Sequence, residues 1–135
     1  MTPGASEPQA DFEDYLRDIL DNIEKVERFT AGVDFDAFLA DDKTAYAVIR
    51  ALEIIGEAVK QLPEKLCAEY PDISWRDIAR MRDKLIHKYF GVNLGIVWKT
   101  ISESIPELKP VIEAMLRQAT GGEVPDNAPL PKSDR

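Results

Sequence analysis

Apolar residues recur every three or four positions along most of this chain, which is the spacing that places them on one face of an α-helix. The first stripe of such residues comprises Phe12, Tyr15, Leu16, Ile19, Leu20, Ile23 and Val26. It predicts a helix that begins at Asp11 and ends at Gly32, because glycine tolerates the left-handed conformation that closes many helices. A second stripe predicts a helix that is capped by Asp41 or Asp42 and ends before Pro63, since proline cannot continue the hydrogen-bond ladder.

The second half of the chain carries two further helical patterns. Ser74 is a good N-cap for a helix that carries an apolar stripe and ends at Gly91. Asn93 caps a last helix, which Pro106 and Pro110 are expected to split or kink. Short segments between the long helices should form turns or brief helical pieces. No part of the sequence shows the alternation of apolar and polar residues that is typical of a β-strand. The pattern therefore predicts an all-α, up-and-down bundle of four to five helices.

The chain of 135 residues is expected to form one domain between two tails. Residues 1–10 and 120–135 are rich in proline, glycine and polar residues, which predicts disordered tails, and residues 11–119 hold all the helical stripes. No apolar run is long enough for a membrane span, and no secretory signal is recognisable. A single cysteine, Cys67, is expected to be half-buried and suits a reducing cytoplasm.

Charge is unevenly distributed along the chain, whose net charge is −8. Residues 71–100 carry six basic side chains against three acidic ones, whereas the remainder is strongly acidic. The basic side chains are Arg76, Arg80, Arg82, Lys84, Lys88 and Lys99. Binding of a phosphate requires such a local excess of positive charge. Nucleic acid is therefore a candidate partner despite the negative net charge of the whole chain. The alternative is that Arg76 and Arg80 are ordinary solvated helix positions.

Candidate chemistry is concentrated in the segment that contains the only histidine of the chain. Arg82, Asp83, His87 and Tyr89 lie close together there, and this combination suits the handling of a phosphodiester. On a regular helix Arg82 and His87 lie about 140° apart around the axis, whereas Asp83 and His87 share a face. Either the last turn of the helix unwinds, or a second copy of the segment supplies the missing group. By itself, a histidine near a helix end can equally be a cap that compensates the helix dipole.

Three segments of the sequence together resemble a known family. They are Ile54-Ile55-Gly56-Glu57-Ala58, then Arg82-x4-His87-x-Tyr89 with Trp75-x2-Ile78 before it and Phe90-Gly91-Val92 after it, and finally Leu94-x2-Val97-Trp98. In this order they resemble the signature of HEPN-domain ribonucleases, and most closely that of HepT-like (DUF86-type) toxins. The resemblance extends over about residues 11–119. Glu57 within it is either a solvated acid or a polar group that supports the site.

The resemblance implies a metal-independent endoribonuclease that needs no cofactor and acts as a homodimer, with one composite cleft between two motif helices. Arg82 would hold the phosphate, and His87 would serve as general base or acid on the ribose 2′-hydroxyl. Asp83 would orient the imidazole ring, and the product would be a 2′,3′-cyclic phosphate. Candidate RNA contacts flank these residues, namely Arg76, Arg80, Lys84 and Lys88.

The resemblance also implies a partner protein. In HepT-like toxins the antitoxin is a minimal nucleotidyltransferase, which neutralises the toxin by transferring AMP to the tyrosine that corresponds to Tyr89, in a type VII-like toxin–antitoxin pair. This chain has no nucleotidyltransferase signature, so the modifying enzyme would be a separate protein. The alternative is a non-catalytic helical dimer that binds and regulates a nucleotidyltransferase. The acidic remainder of the sequence suits such a protein partner at least as well as it suits RNA.

Overall fold

The computed structural model describes residues 7–87 and 93–121, including all side chains in those ranges except those of residues 7–11, 82 and 84–87. The described chain is helical with connecting turns and contains no β-strand, which confirms the predicted all-α fold. Its elements are α1 (Glu7–Thr30), α2 (Phe35–Leu39), α3 (Asp42–Val59), α4 (Glu64–Ala68), α5 (Trp75–His87), α6 (Leu94–Lys99), a π-helical turn (Thr100–Ser104) and α7 (Ile105–Ala119). Long helices α1, α3, α5 and α7 form the bundle, and α2 and α4 are short.

The first helix starts earlier than its apolar stripe. α1 begins at Glu7 rather than at the predicted Asp11, and so enters the segment expected to be a tail. Pro8 does not prevent this start, because N–H groups in the first turn of a helix have no intrahelical acceptor. A glutamate at the first position also suits the positive end of the helix dipole. The C-terminal end is as predicted, since Gly32 has a left-handed φ of +73° just after the helix.

Two of the side-chain caps that begin the described helices lie where the sequence predicts them. Asp41 caps α3, and its Oδ1 accepts a hydrogen bond from the Thr44 N–H at 3.1 Å. The Thr44 hydroxyl donates to the same carboxylate, and these two bonds, the hydroxyl bond first, lower the pKa of Asp41. Asn93 caps α6, where its Oδ1 accepts from the N–H groups of Gly95 at 2.8 Å and Ile96 at 3.2 Å.

The two prolines of the last helical segment differ in their effect. Pro106 lies in the first turn of α7, directly after the π-helical turn, so the interruption expected at this proline is present. Pro110 lies inside α7 without ending it, so the helix is not split there. The missing N–H of Pro110 leaves only a first-turn carbonyl without its helical donor, and the buried side chains of Leu108 and Ile112 hold the helix on the core.

The core is built from the predicted apolar stripes. α3 packs against α1 and α5, and α1 also packs against α7. Side chains with no exposed surface are Leu16, Ile19, Ile23, Val48, Leu52, Ile55, Leu108, Ile112 and Met115. Phe38 of the short helix α2 is equally buried, and its ring centroid lies 5.1 Å from that of Trp98. Asn22 is a buried polar residue, and its Nδ2 donates to the carbonyl of Asp18 at 2.9 Å.

Replacing Phe38 by alanine should lower the free energy of unfolding by about 3–5 kcal/mol, because it removes a fully enclosed ring and leaves a cavity. Phe35 provides a matched control on the same helix. Its ring also lies against Trp98, at 5.9 Å, but it is 37% exposed, so Phe35→Ala should cost only about 1 kcal/mol. Urea unfolding of both variants measures the difference. Equal losses would mean that α2 is not packed as described.

Candidate functional site

The helix that carries the candidate residues, α5, is anchored at its start. Trp75 is its first residue, and the indole Nε1 donates to the carbonyl oxygens of Cys67 and Tyr70, both at 3.1 Å. Ile78 is buried, and its N–H donates to the carbonyl of Ser74 at 3.1 Å. Because α3 also packs against α5, the helix backbone that carries the candidate site is held against the core.

The backbone of α5 is α-helical as far as His87, its last residue. His87 follows Arg82 by five residues, so the two positions lie roughly 140° apart around the helix axis. The described backbone thus shows no unwinding between these two residues. The side chains of Arg82 and His87 are not among the described ones, and Tyr89 lies outside the described residues altogether.

Two of the candidate RNA contacts are described, and both are exposed. Arg76 and Arg80 are one turn apart on α5, and neither forms an ion pair with any residue that the structure describes. Like charges at this spacing repel weakly on a helix. The exposure of both arginines fits solvated positions and RNA contacts alike. The Lys84 side chain and the whole of Lys88 lie outside the described part of the chain.

Asp83 is the candidate residue whose surroundings are best described. Its side chain is 46% exposed, and its Oδ1 lies 3.9 Å from Nζ of Lys60, the residue that follows α3. This ion pair crosses from α3 to α5. Sequence reasoning missed Lys60, and the only available signal was a basic residue at a helix C-terminus, which normally indicates no more than a favourable interaction with the helix dipole.

Gly56 and Glu57 of the Ile54–Ala58 motif lie on α3. Gly56 is buried, as expected for a glycine where another helix approaches closely. Glu57 is exposed, which agrees with a solvated acid and not with a buried polar group. An open groove of about 200 Å³ lies beside Glu57, and its lining residues among the described ones all belong to α1 and α3. The groove is thus separate from the described residues of the motif helix.

The described residues do not favour a reactive thiol, a metal site or a membrane span. Burial, with a smaller contribution from the Glu64 carboxylate, raises the pKa of the half-buried Cys67 thiol, so it stays protonated at neutral pH and is a poor nucleophile. Within residues 7–87 and 93–121, no group of three or more histidine, cysteine or acidic side chains is placed to hold a metal ion. None of the described helices is sufficiently long and apolar to span a membrane.

Comparison with known proteins defines the family. The family model described as ribonuclease HepT-like matches residues 19–115, a range that includes the second half of α1, all of α3 and α5, and most of α7. The chain therefore belongs to the HepT-like ribonuclease family, as the three sequence segments predicted. No solved structure matches the chain at a significant level.

Relatives of this chain carry names of the same kind. It is 55% identical over 102 residues to "Probable ribonuclease HepT" of Thermococcus cleftensis, which covers 76% of this chain and 93% of the relative. It is 46% identical over 114 residues to "Putative RNase MJ0127" of Methanocaldococcus jannaschii, which covers 84% of this chain and 94% of the relative. Both matches extend over nearly the full length of those proteins.

Proposed function

We propose that this protein is an endoribonuclease that cleaves RNA without a metal ion, using Arg82 and His87. The observation that carries the proposal is family membership over residues 19–115, which contain both residues, together with relatives that are named ribonucleases. The chain's only histidine lies at the C-terminal end of a firmly supported helix. Imidazole, with a reference pKa of about 6.5, can accept or donate a proton near neutral pH.

In the proposed reaction His87 removes the proton from a ribose 2′-hydroxyl. The 2′-oxygen forms a bond to the adjacent phosphorus while the bond from phosphorus to the 5′-oxygen breaks. The leaving 5′-oxygen takes a proton from a water molecule, and His87 later returns its proton to the solvent. The products are a 2′,3′-cyclic phosphate and a 5′-hydroxyl. Arg82 holds the phosphate and stabilises the charge that develops on its oxygens. DNA lacks the 2′-hydroxyl and is not a substrate for this route.

The site is proposed to be composite, with groups from two copies of the chain. Positions 82 and 87 diverge by roughly 140° on one regular helix, so a single α5 does not direct both at one phosphate. A two-fold axis beside this helix would place Arg82 of one protomer near His87 of its partner. A homodimer therefore resolves the geometry without any change in the backbone of α5.

Mixed dimers test this arrangement. Arg82→Ala and His87→Ala subunits are each expected to be inactive, yet a mixture refolded together should regain a substantial part of the cleavage rate, because a mixed dimer retains one intact arginine–histidine pair across the interface. Initial rates on a labelled RNA measure the recovery.

The control mixes Arg82→Ala subunits with subunits that carry both substitutions, a combination that restores no pair and should stay inactive. Light scattering confirms that dimers are present. A mixture of the two single variants that forms dimers but cuts no RNA would contradict a composite site.

The proposed biological setting is a type VII-like toxin–antitoxin pair. A separate minimal nucleotidyltransferase would neutralise this protein by transferring AMP to Tyr89, two residues after His87. A bulky, anionic adenylate at this position would occupy the phosphate-binding region and repel the RNA backbone. The basic character of residues 71–100 makes the same surface suitable for RNA and for a nucleotide phosphate.

A further inference from the structure

Two exposed arginines of α5 lie in one row with the last position of the helix. Arg80 precedes His87 by seven residues and Arg76 precedes it by eleven, so both positions fall within about 20° of position 87 around the helix axis. Along the axis they lie about 10 Å and about 16 Å from it. The alignment follows from the backbone of α5, which is helical from Trp75 to His87.

This row is the outer face of α5. Ile78 is buried in the core, and its position lies about 160° around the axis from both Arg76 and Arg80. The two arginines are exposed accordingly. Position 82 falls within about 40° of Ile78 and therefore does not belong to this face. The outer face thus carries two cations and leads to the position of the chain's only histidine.

The charges of both arginines are available to an external anion. Neither forms an ion pair with any residue that the structure describes, although Asp77 precedes Arg80 by three residues, a spacing at which helical ion pairs form. Asp83 lies on the same face, and Nζ of Lys60 is 3.9 Å from its carboxylate, which offsets part of its repulsion toward a phosphate. Guanidinium groups bind phosphate oxygens in a bidentate manner, so this face suits a chain of phosphates.

The arrangement suits a single RNA strand better than a duplex. The major groove of duplex RNA is deep and narrow, and side chains on a helix reach into it poorly. A single row of cations follows one sugar–phosphate backbone, as in proteins that bind single strands along a basic track. The outer face of α5 has such a row, with Arg76 and Arg80 one helical turn apart.

We propose that the outer face of α5 is a binding track for single-stranded RNA, where Arg80 and Arg76 hold phosphates that lie to one side of the cleaved bond. This inference rests on the proposed ribonuclease function and adds the class of RNA and the direction in which the strand leaves the site. The two arginines do not touch the reacting atoms. They bind substrate and transition state equally, and such contacts lower KM without changing kcat.

The first test is binding of a labelled single-stranded RNA whose 2′-hydroxyls are methylated, so that it is not cut. Arg76→Gln and Arg80→Gln should each weaken binding about three- to tenfold and reduce the slope of log affinity against log salt by about 0.7, the value for one phosphate contact on a single strand. Arg76→Lys and Arg80→Lys keep the cation and should retain the slope. Arg28→Gln removes an exposed arginine from α1 and should bind like the parent. The same RNA annealed to its complement should bind more weakly.

Steady-state cleavage of the unmethylated strand is the second test. Arg76→Gln and Arg80→Gln should raise KM about three- to tenfold and leave kcat within about twofold of the parent value. A lowered kcat with unchanged KM would overturn the inference, and so would binding equal to that of Arg28→Gln or a duplex that binds as tightly as the single strand. Any of these results in a parent that cuts RNA would leave the ribonuclease function intact. A parent that binds the strand through both arginines yet cuts no RNA would remove that function and retain the binding track.

Discussion

Replacing His87 by alanine is expected to lower the rate of RNA cleavage at least about hundredfold, because a general acid or base typically contributes that much or more. His87 is the last residue of α5, so the loss of its side chain should cost less than about 1 kcal/mol of stability. Arg82→Ala should be equally inactive, since it removes the cation that stabilises the phosphate oxygens. Initial rates, together with circular dichroism melting curves, measure both effects.

The control for these variants is Arg28→Ala. Arg28 is an exposed arginine in the last turn of α1, so its replacement changes the net charge by the same amount as Arg82→Ala, at a position far along the sequence from the motif. It should cut RNA at the parent rate. If Arg82→Ala and His87→Ala also cut at the parent rate, the nuclease assignment of these residues fails, and a non-catalytic dimer that regulates a nucleotidyltransferase becomes the better explanation.

Replacing Tyr89 by phenylalanine should abolish AMP transfer by a partner nucleotidyltransferase, because only the hydroxyl that would receive the AMP is removed. RNA cleavage should persist, since the ring remains and the hydroxyl has no part in the proposed reaction. Incubation with labelled ATP and the nucleotidyltransferase, followed by intact mass measurement, detects one added AMP on the parent and none on the variant.

Tyr46 provides the control for this experiment. It is 64% exposed on α3, so Tyr46→Phe removes an exposed tyrosine hydroxyl elsewhere in the sequence and should accept AMP like the parent. Transfer of AMP to Tyr89→Phe at the parent rate would contradict the regulatory role of Tyr89. The ribonuclease proposal would survive that result, because the two activities depend on different groups.

The long helices were predictable because their apolar residues follow one period over many turns. Leu16, Ile19 and Ile23 of α1 have no exposed surface, as their spacing indicates. Phe38 was not predictable in the same way, because a helix of five residues is too short to display a period. Its burial depends on the space that α3 and α6 leave beside Trp98, which is a property of the tertiary structure.

The candidate site was predictable as far as it is contiguous in sequence. Arg82, Asp83 and His87 lie on one helix, and the helical repeat alone gives their relative directions. The contact between Lys60 and Asp83 could not be predicted, because it depends on how α3 and α5 pack after an intervening helix and turn. No local pattern encodes such a contact.

The most direct test of metal-independent RNA cleavage is the action of the parent protein on a defined RNA in the presence of a strong chelator. The expected result is cleavage to fragments that end in a 2′,3′-cyclic phosphate and begin with a 5′-hydroxyl, as identified by mass spectrometry. The same oligonucleotide with deoxyribose at the cleaved position should stay intact there. RNA that remains uncut by the folded protein, or cleavage at the deoxyribose position, would contradict the proposed function.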